Sequence, residues 1–345
     1  MELKKKILVI INPISGAAHR DYMPEIVNRN LDSERFDVYV RFTQGPGHAT
    51  EMAKKAIEHQ FDGVIAIGGD GTINETASAL INSPTALGIV PCGSGNGLAR
   101  HLGIPLIPER ALKIINDWHT DSLDYCTVND IPFFCTCGVG FDATVSEKFA
   151  AAKRRGPISY AKNAIIEYLN YRSQEYVIKT HDSDIAVKAF VIACGNASQY
   201  GNNAYIAPKA TMTDGLMDVI IMEPFTAFDA PQISIDIINK TLDKNSKIKT
   251  LRAKRIHIHR SQPGAIHYDG DPIMTGKDVD VHIEERGIRI IINPDDIEDH
   301  SLPNPILNAF SEFFNNINNV REDIEKQSKK IQTINKVLLR KLTRL

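Results

Sequence analysis

Glycines surround one carboxylate in the stretch VIAIGGDGTINETASAL, which begins at Val64. An apolar strand runs into the segment GGDGT at 68–72, and residues of helical character follow. Glycine lets a ligand approach the main chain closely, and the N–H groups at the start of a helix favour a phosphate group. An acid such as Asp70 would repel that phosphate unless a divalent cation or a substrate hydroxyl lay between them. The stretch therefore indicates phosphoryl transfer, and the alternative is an Asx-type turn that caps the next helix.

Two further turns have the same design. The stretch GIVPCGSGNGLARHLGIP runs from a strand through Pro91 into three glycines with Ser94 and Asn96, and then into a helix. The turn INPISG, which follows the first strand, contributes Asn12, Pro13, Ser15 and Gly16. Because the turns after neighbouring parallel strands line one crevice, the three turns predict a nucleotide site. None of them matches the ordinary P-loop or the dinucleotide fingerprint.

Two carboxylates stand two residues apart in IHYDGDP, where Asp269 and Asp271 flank Gly270. In an extended strand both side chains would face the same way and form an acidic pair. A carboxylate of this pair could take the proton from an alcohol that attacks phosphorus, and a positioned base typically contributes about 10²–10⁴ in rate. The alternative is a surface hairpin with Asp-Gly turn chemistry.

The composition limits the classes of protein to consider. The chain has 345 residues, of which 43% are hydrophobic, enough for full cores in two domains. Forty basic and 42 acidic residues leave a formal charge of −2, which argues against a nucleic-acid binder with a broad basic face. The five cysteines lack zinc-ribbon spacing, so a metal or redox role for them is disfavoured. The apolar run at the N-terminus is too short for a signal peptide, and no apolar run reaches the roughly 18 residues that span a bilayer. Both observations predict a cytoplasmic protein.

The elements that must position the three turns alternate in type along the first third of the chain. Their strands are near-continuous apolar runs, as expected when helices cover both faces of a parallel sheet. The predicted strands are Ile7–Ile11, Phe36–Phe42, Gly63–Ile67 and Leu87–Val90, and the predicted helices are Asp21–Asn30, Ala49–His59, Ile73–Ile81 and Gly97–Leu102. The sequence therefore predicts a three-layer α/β domain over residues 1–122.

From residue 123 to 297 the pattern changes to alternating strands. These are Val177–Thr180, Ala186–Cys194, Asp218–Met222, Arg255–His259, Val279–Ile283 and Ile288–Asn293, with one helix around 160–171. Strands without intervening helices predict an antiparallel sheet or sandwich, and a cleft between the two domains. A heptad-like apolar series over residues 304–345 predicts an amphipathic helical tail. Three roles are expected for such a tail: packing on its own subunit, coiled-coil pairing in a homodimer, or contact with an anionic membrane surface.

In combination the glycine turns resemble the catalytic family of diacylglycerol kinases, which includes sphingosine and ceramide kinases and soluble bacterial lipid kinases. The matching pieces are Asn12-Pro13, GGDGT with Asn74-Glu75, and PCGSGN with Leu98-Ala99-Arg100. The resemblance covers the first 120 residues well and extends through shorter motifs to about residue 293. It implies a phosphofructokinase-like nucleotide domain followed by a β-sandwich domain for the lipid substrate, with ATP bound between them.

The resemblance also implies which residues form the site. Together with the polar turn residues, the expected nucleotide-binding set is Asn12, Pro13, Ser15, Thr43, Gly68, Gly69, Asp70, Gly71, Thr72, Asn74, Ser94 and Asn96. Asp271 corresponds to the last carboxylate of the family's D-G-E element, the base for the lipid hydroxyl, and here the shorter Asp replaces Glu. Asp70 is the second catalytic acid and the competing candidate for the base, and Asp269 completes the acidic set.

Two cofactors are implied by the same resemblance, ATP and Mg²⁺. A structural Mg²⁺ site maps onto the stretch APKATMTDGLMDV, with the side chain of Asp214 and backbone carbonyls near Thr211 and Leu216. A hard oxygen site of this kind suits Mg²⁺, whereas the residues taken alone equally indicate an Asp-Gly turn. A basic cluster, Lys153 to Arg155, stands before the predicted helix and could meet anionic headgroups, with a solvated loop as the alternative.

The leading hypothesis is an ATP-dependent lipid kinase that phosphorylates a lipid hydroxyl of the diacylglycerol or sphingoid-base type. Such a protein is expected in the cytoplasm, with transient peripheral contact at the inner membrane surface and without a nucleic-acid partner. A soluble kinase similar to NAD kinase shares GGDGT and the two-domain plan, but PCGSGNGLAR fits lipid kinases better. A catalytically silent nucleotide-binding scaffold, with the tail as its partner-binding device, is the third alternative.

Overall fold

The computed structural model describes residues 3–15, 22–151, 171–226 and 228–294. Several sequence-based predictions lie outside these residues. They are the contribution of Gly16, the start of the first helix at Asp21, the basic cluster Lys153 to Arg155, the helix around 160–171 except its last residue, and the tail 304–345. Among the described residues, no helix combines the length and apolar character that crossing a bilayer requires.

The N-terminal third forms a parallel sheet covered by helices, as predicted. Its strands are β1 (Lys5–Ile11), β2 (Phe36–Phe42), β3 (Gly63–Gly68) and β4 (Ala86–Pro91), and they run side by side in the order β2-β1-β3-β4. Its helices are α1 (Met23–Asn30), α2 (His48–Glu58), α3 (Asp70–Leu80), α4 (Gly97–His101) and α5 (Pro108–Asp117). Every residue of β3 and β4 is buried, which explains why these strands read as unbroken apolar runs. The turns after β1, β3 and β4 therefore open at one edge of the sheet.

The C-terminal half is an antiparallel sandwich, again as predicted. Its strands are β5 (Thr120–Val128), β6 (Ile131–Phe133), β7 (Thr136–Gly140), β8 (Gln174–Lys179), β9 (Asp184–Ala189), β10 (Val191–Gly195), β11 (Met217–Met222), β12 (Ile248–Ala253), β13 (Arg255–Arg260), β14 (Gly264–Tyr268), β15 (Asp271–Thr275) and β16 (Asp278–Ile291). Six of them form a sheet in the order β12-β11-β10-β7-β14-β15. This sheet faces the layer built from β5, β6, β8, β9, β13 and β16 across a core that includes Phe133, Ile192 and Ile258.

The last strand joins the two halves. The sequence predicts two strands, Val279–Ile283 and Ile288–Asn293, but β16 is continuous, with a register shift between Glu284 and Ile288. Its first part pairs with β13, and its end pairs in parallel with β4 through Ile290 and Leu87. The end of β16 is buried in the core of the N-terminal sheet. The chain therefore returns to the first domain after the predicted boundary at residue 122.

Two helices of the second half were not predicted. They are α6 (Phe141–Ala151) and α7 (Ala230–Ile238), and a short 3₁₀ helix (Leu242–Lys244) follows α7. The predicted strand Ala186–Cys194 divides at Phe190 into β9 and β10, which belong to different sheets. The sequence does not reveal where the strand changes sheet, because the residues next to the break, Ala189 and Val191, are both buried.

Candidate active site

The turns after β3 and β4 touch each other through glycine main chains. A Cβ atom on Gly93 would lie 2.7 Å from Cα of Gly69, and a Cβ on Gly69 would lie 3.3 Å from Cα of Gly93. No side chain fits between two backbones at this distance, so the glycines are required for the close approach. The prediction that the two turns line one crevice agrees with this contact.

Asp70 is the first residue of α3, and its carboxylate reaches the neighbouring turn. Oδ2 accepts a hydrogen bond from the N–H of Asn96 at 2.9 Å, and Oδ1 accepts one from the N–H of Gly97 at 2.8 Å. The side chain therefore caps α4, whereas the sequence-based alternative was a cap on the helix that follows Asp70 itself. An ionised carboxylate has about four acceptor positions, so Asp70 keeps capacity for a cation or a hydroxyl.

Side chains of the turn after β1 tie it to the turn after β3. Nδ2 of Asn12 donates to Oγ1 of Thr72 at 2.8 Å, and the Oδ1 atom of Asn12 accepts from the N–H of Ile14 at 2.9 Å. The hydroxyl of Ser15 accepts a hydrogen bond from the N–H of Gly69 at 3.3 Å. Thr72 is buried, and a Cβ on Gly68 would lie 2.7 Å from its side chain. Asn12, Ser15 and Thr72 thus hold the shape of the turns.

The remaining predicted nucleotide-binding residues differ in exposure. Asn96 is buried, and its side chain exchanges hydrogen bonds with the main chain of Gly93, so it closes the second turn. Gly71 is exposed, and a Cβ there would meet no atom within 4 Å. Ser94 and Pro13 are also exposed, while Thr43 is half-buried beside the end of β1. The open side of the crevice is therefore the side of Gly71 and Ser94.

Asp269 and Gly270 form the two-residue turn between β14 and β15. Tyr268 pairs with Asp271 across the hairpin, and φ is 46° at Asp269 and 90° at Gly270. Positive φ at both positions is the backbone of an Asp-Gly hairpin turn. The backbone is therefore the hairpin that was given as the alternative, and the two carboxylates do not follow one another along an extended strand.

The carboxylate of Asp269 is nevertheless not a surface group. It accepts hydrogen bonds from the N–H groups of Phe134 (2.8 Å), Cys135 (2.7 Å) and Thr136 (3.0 Å), and from Nδ2 of Asn74 (2.8 Å). Burial raises the pKa of Asp269, and the four hydrogen bonds oppose that rise. Asp269 thus anchors the hairpin to β7 and to α3.

This anchor holds the acidic hairpin against the helix that carries Asp70. Asn74 lies four residues after Asp70, and so on the same face of α3, one turn further along. Its bond to Asp269 joins the hairpin to the helix that starts at the glycine turn. Asp271, the first residue of β15, is exposed beside this junction. The acidic hairpin therefore lies against α3, the helix that begins at the GGDGT turn.

The predicted Mg²⁺ site at Asp214 contains a different partner. Oδ1 of Asp214 accepts from the N–H of Leu216 at 3.1 Å, and Oδ2 is paired with the guanidinium of Arg252. Arg252 also lies 3.4 Å from the carboxylate of Asp218, and the pair with Asp214 raises the pKa of the guanidinium. The hydroxyl of Thr211 is 3.0 Å from that of Thr213. A metal ion at Asp214 would have to compete with Arg252, and the Mg²⁺ site there stays a prediction.

Sequence reasoning did not identify one side of the crevice. The loop after β10 packs on the second turn, where the N–H of Asn202 donates to the carbonyl of Gly95 at 3.1 Å. A Cβ on Gly201 would lie 2.9 Å from the carbonyl group of Gly95. The sequence signal was NASQYGNN after a buried strand, a polar loop that carries no motif of its own.

Comparison with known proteins agrees with both halves of this arrangement. Residues 6–128 match the family model of the diacylglycerol kinase catalytic domain, and residues 135–291 match that of the YegS C-terminal NAD kinase beta sandwich-like domain. The chain is 32% identical over 229 residues to a probable lipid kinase YegS-like of Pectobacterium atrosepticum, which covers 64% of this chain and 76% of that protein. It is 29% identical over 285 residues to the uncharacterized protein sll0036 of Synechocystis, which covers 77% of this chain and 66% of that protein.

Among solved structures, a putative diacylglycerol kinase from Bacillus anthracis superimposes with a TM-score of 0.68 at 22% sequence identity. The superposition covers 86% of this chain and all of that one. At this identity the likeness concerns the fold, which is the α/β domain followed by the β-sandwich.

Proposed function

We propose that this chain, which belongs to the diacylglycerol kinase catalytic-domain family and is a relative of the YegS-like lipid kinases, transfers the γ-phosphate of ATP to a hydroxyl group of a membrane lipid. The observation that carries the proposal is the hydrogen bond between Asn74 and Asp269. It holds an acidic hairpin of the second domain against the helix that begins at the glycine turn. A phosphate donor and an alcohol acceptor could meet there.

In this proposal the nucleotide binds at the start of α3. The first N–H groups of a helix have no acceptor within the helix, and the positive end of the helix dipole favours phosphate. The open space at Gly71 and the exposed hydroxyl of Ser94 leave room for phosphate oxygens at this point. Mg²⁺ bound with ATP would offset charge on the transferred group, and Asp70 retains acceptor positions toward it.

Asp271 is the proposed base. The carboxylate of Asp269 already accepts four hydrogen bonds from the chain, so its role is to hold the hairpin. Asp271 follows directly after the turn and is exposed, so an acceptor hydroxyl can approach it. Asp70 would orient the hydroxyl or the Mg²⁺ ion, because its oxygens are fixed by Asn96 and Gly97 at the neighbouring turn.

The proposed acceptor is a lipid of the diacylglycerol or sphingoid-base type. The names of the relatives and the turn PCGSGNGLAR support a lipid as the acceptor. Within that turn, GSGNGLA is nearer to the sphingosine-kinase form, which favours a sphingoid base. Such a substrate requires transient contact with the inner membrane surface. The NAD kinase-like name of the second family model keeps a soluble acceptor as the competing proposal.

The test is a transfer assay with γ-labelled ATP and Mg²⁺. The full chain is incubated with mixed micelles that contain diacylglycerol, sphinganine, ceramide or phosphatidylglycerol, and in parallel with NAD. The proposal expects labelled phospholipid and unlabelled NAD. Label in NAD would support the soluble kinase instead, and ATP binding without transfer to any acceptor would support a silent scaffold.

A further inference from the structure

Three polar side chains meet in the interior beside the acidic hairpin. The hydroxyl of Tyr200 donates to Oδ2 of Asp142 at 3.0 Å, and Nε2 of His267 lies 3.0 Å from the same oxygen. Asp142 is 8% exposed and His267 is 2% exposed. The other carboxylate oxygen of Asp142 accepts from the N–H of Ala143 at 2.7 Å. We call these three residues the Tyr200–Asp142–His267 cluster.

The cluster is costly for a stable core. A buried carboxylate must be hydrogen-bonded, and Asp142 has three hydrogen-bonding partners. Nε2 of His267 lies against the carboxylate oxygen that also accepts from Tyr200. The other ring nitrogen, Nδ1, is buried and finds no hydrogen-bond partner in the part of the chain that the structure describes. Polar groups that are incompletely satisfied in this way concentrate at functional sites.

The backbone makes room for this cluster at one position. Gly138 of β7 pairs with His267 of β14. A Cβ on Gly138 would lie 2.2 Å from Oδ2 of Asp142 and 2.9 Å from Nε2 of His267. Any side chain at this position would therefore displace the carboxylate or the imidazole.

Each member of the cluster belongs to a different part of the site. His267 stands two residues before Asp269, on the strand that leads into the acidic turn. Tyr200 belongs to the loop that packs on the second glycine turn, where a Cβ on Gly97 would lie 3.4 Å from the main chain of Tyr200. Asp142, near the start of α6, connects the two.

We propose that the Tyr200–Asp142–His267 cluster sets the position of the acidic hairpin relative to the second glycine turn, and so aligns Asp271 with the transferred phosphate. This role rests on the proposed function of the site. In this proposal the three side chains act through the hairpin and the glycine turn rather than on the substrate, so they are positioning residues. A displacement of about 1 Å at a reacting centre can cost about a hundredfold in rate, which is why such a cluster would be retained despite its cost.

The kinetic test uses Asp142→Asn, Tyr200→Phe, His267→Gln and His267→Leu in the full chain. Asp142→Asn is expected to lower kcat by about tenfold to a hundredfold while the KM for ATP changes by less than about twofold. His267→Gln keeps an N–H donor toward Asp142 and should retain more activity than His267→Leu. The matched control is His282→Gln, a histidine that is 3.2 Å from Glu284 on the outer face of β16.

A second measurement does not depend on activity. Hydrogen exchange followed by mass spectrometry should show faster exchange in Asp142→Asn for the N–H groups of residues 134–136 and 95–97, and unchanged exchange in β1 and β3. This result would support the positioning role even if the chain transferred no phosphate. Unchanged hydrogen exchange in both segments would overturn the positioning role. An equal loss of activity in His267→Gln and His267→Leu would also overturn it, as would faster exchange throughout the chain together with a lowered Tm.

Discussion

Nδ2 of Asn74 donates a 2.8 Å hydrogen bond to Oδ2 of Asp269, which follows it by 195 residues in the sequence. Asn74 belongs to the helix that begins at the GGDGT turn, and Asp269 belongs to the hairpin of the second domain. The same carboxylate also accepts the N–H groups of residues 134–136. One side chain thereby connects the helix that begins at the GGDGT turn, β7 and the strand that carries Asp271.

Replacing Asn74 tests this connection. Asn74→Ala removes one of four donors to Asp269 and should lower kcat by about tenfold or more, because the hairpin is no longer held to α3. A hydrogen bond to a charged group contributes about 1.5–3 kcal/mol, so the free energy of unfolding should fall by at most that amount. Steady-state kinetics measures kcat, and urea denaturation measures the free energy of unfolding. Asn28→Ala on the exposed side of α1 is the control, and a kcat equal to wild type would refute the connection.

The assignment of the base is tested by Asp271→Asn. The amide cannot take a proton, so kcat should fall by about 10²–10⁴, while the affinity for ADP measured by calorimetry stays unchanged. Asp182→Asn, on the exposed turn between β8 and β9, is the control for loss of a surface charge. Undiminished turnover in Asp271→Asn would transfer the role of the base to Asp70.

The contact between the two glycine turns predicts the effect of a methyl group. In Gly93→Ala the new Cβ would lie 2.7 Å from the main chain of Gly69, so the turns must separate. Overpacking of this kind costs about 1–3 kcal/mol, and ADP binding should weaken by at least about tenfold, because the open side of the crevice changes shape. In Gly276→Ala the Cβ would meet nothing within 4 Å, and binding should be unchanged. Equal ADP affinities in the two variants would contradict the proposed nucleotide site.

The pairing of Asp214 with Arg252 makes a prediction for Mg²⁺. Removing the guanidinium in Arg252→Met leaves the carboxylates of Asp214 and Asp218 without this partner, so a divalent cation should bind there more tightly. Mg²⁺ without nucleotide should therefore raise the Tm of Arg252→Met by more than it raises that of wild type. Arg255→Met, which breaks the surface pair with Asp280, should respond as wild type does. If Mg²⁺ raised the Tm of wild type by more than that of Arg252→Met, Arg252 would not compete with the cation.

Much of the fold follows from local patterns. Buried parallel strands lack a polar face, and so β1, β3 and β4 are visible as apolar runs that end in glycine turns. The helix after GGDGT was predicted from Ile73, but it begins at Asp70, because a helix accommodates acidic and small residues in its first turn. β16 appeared as two strands, since the residues at its bulge, including Arg286 at a φ of 54°, interrupt the alternation.

For the site, the sequence supplied candidate residues, and their roles stay predictions. The glycine turns, Asp70 and the Asp269–Asp271 pair could be identified because their residue types carry chemistry by themselves. His267 cannot be identified in the same way, since a lone histidine on a strand has no spacing that distinguishes it. Its partners Asp142 and Tyr200 stand 125 and 67 positions away, and only folding brings them to one point.

By itself, the sequence determined the two domain types and supplied the residues that we propose bind phosphate and take a proton. These properties depend on backbone freedom, side-chain chemistry and hydrophobic period, all of which act over a few neighbouring positions. The tertiary structure decided which partner each carboxylate has: α4 for Asp70, β7 and Asn74 for Asp269, Arg252 for Asp214. A hydrogen bond depends on the distance and direction between two groups, and for residues far apart in the chain these are set by the packing of the sheets.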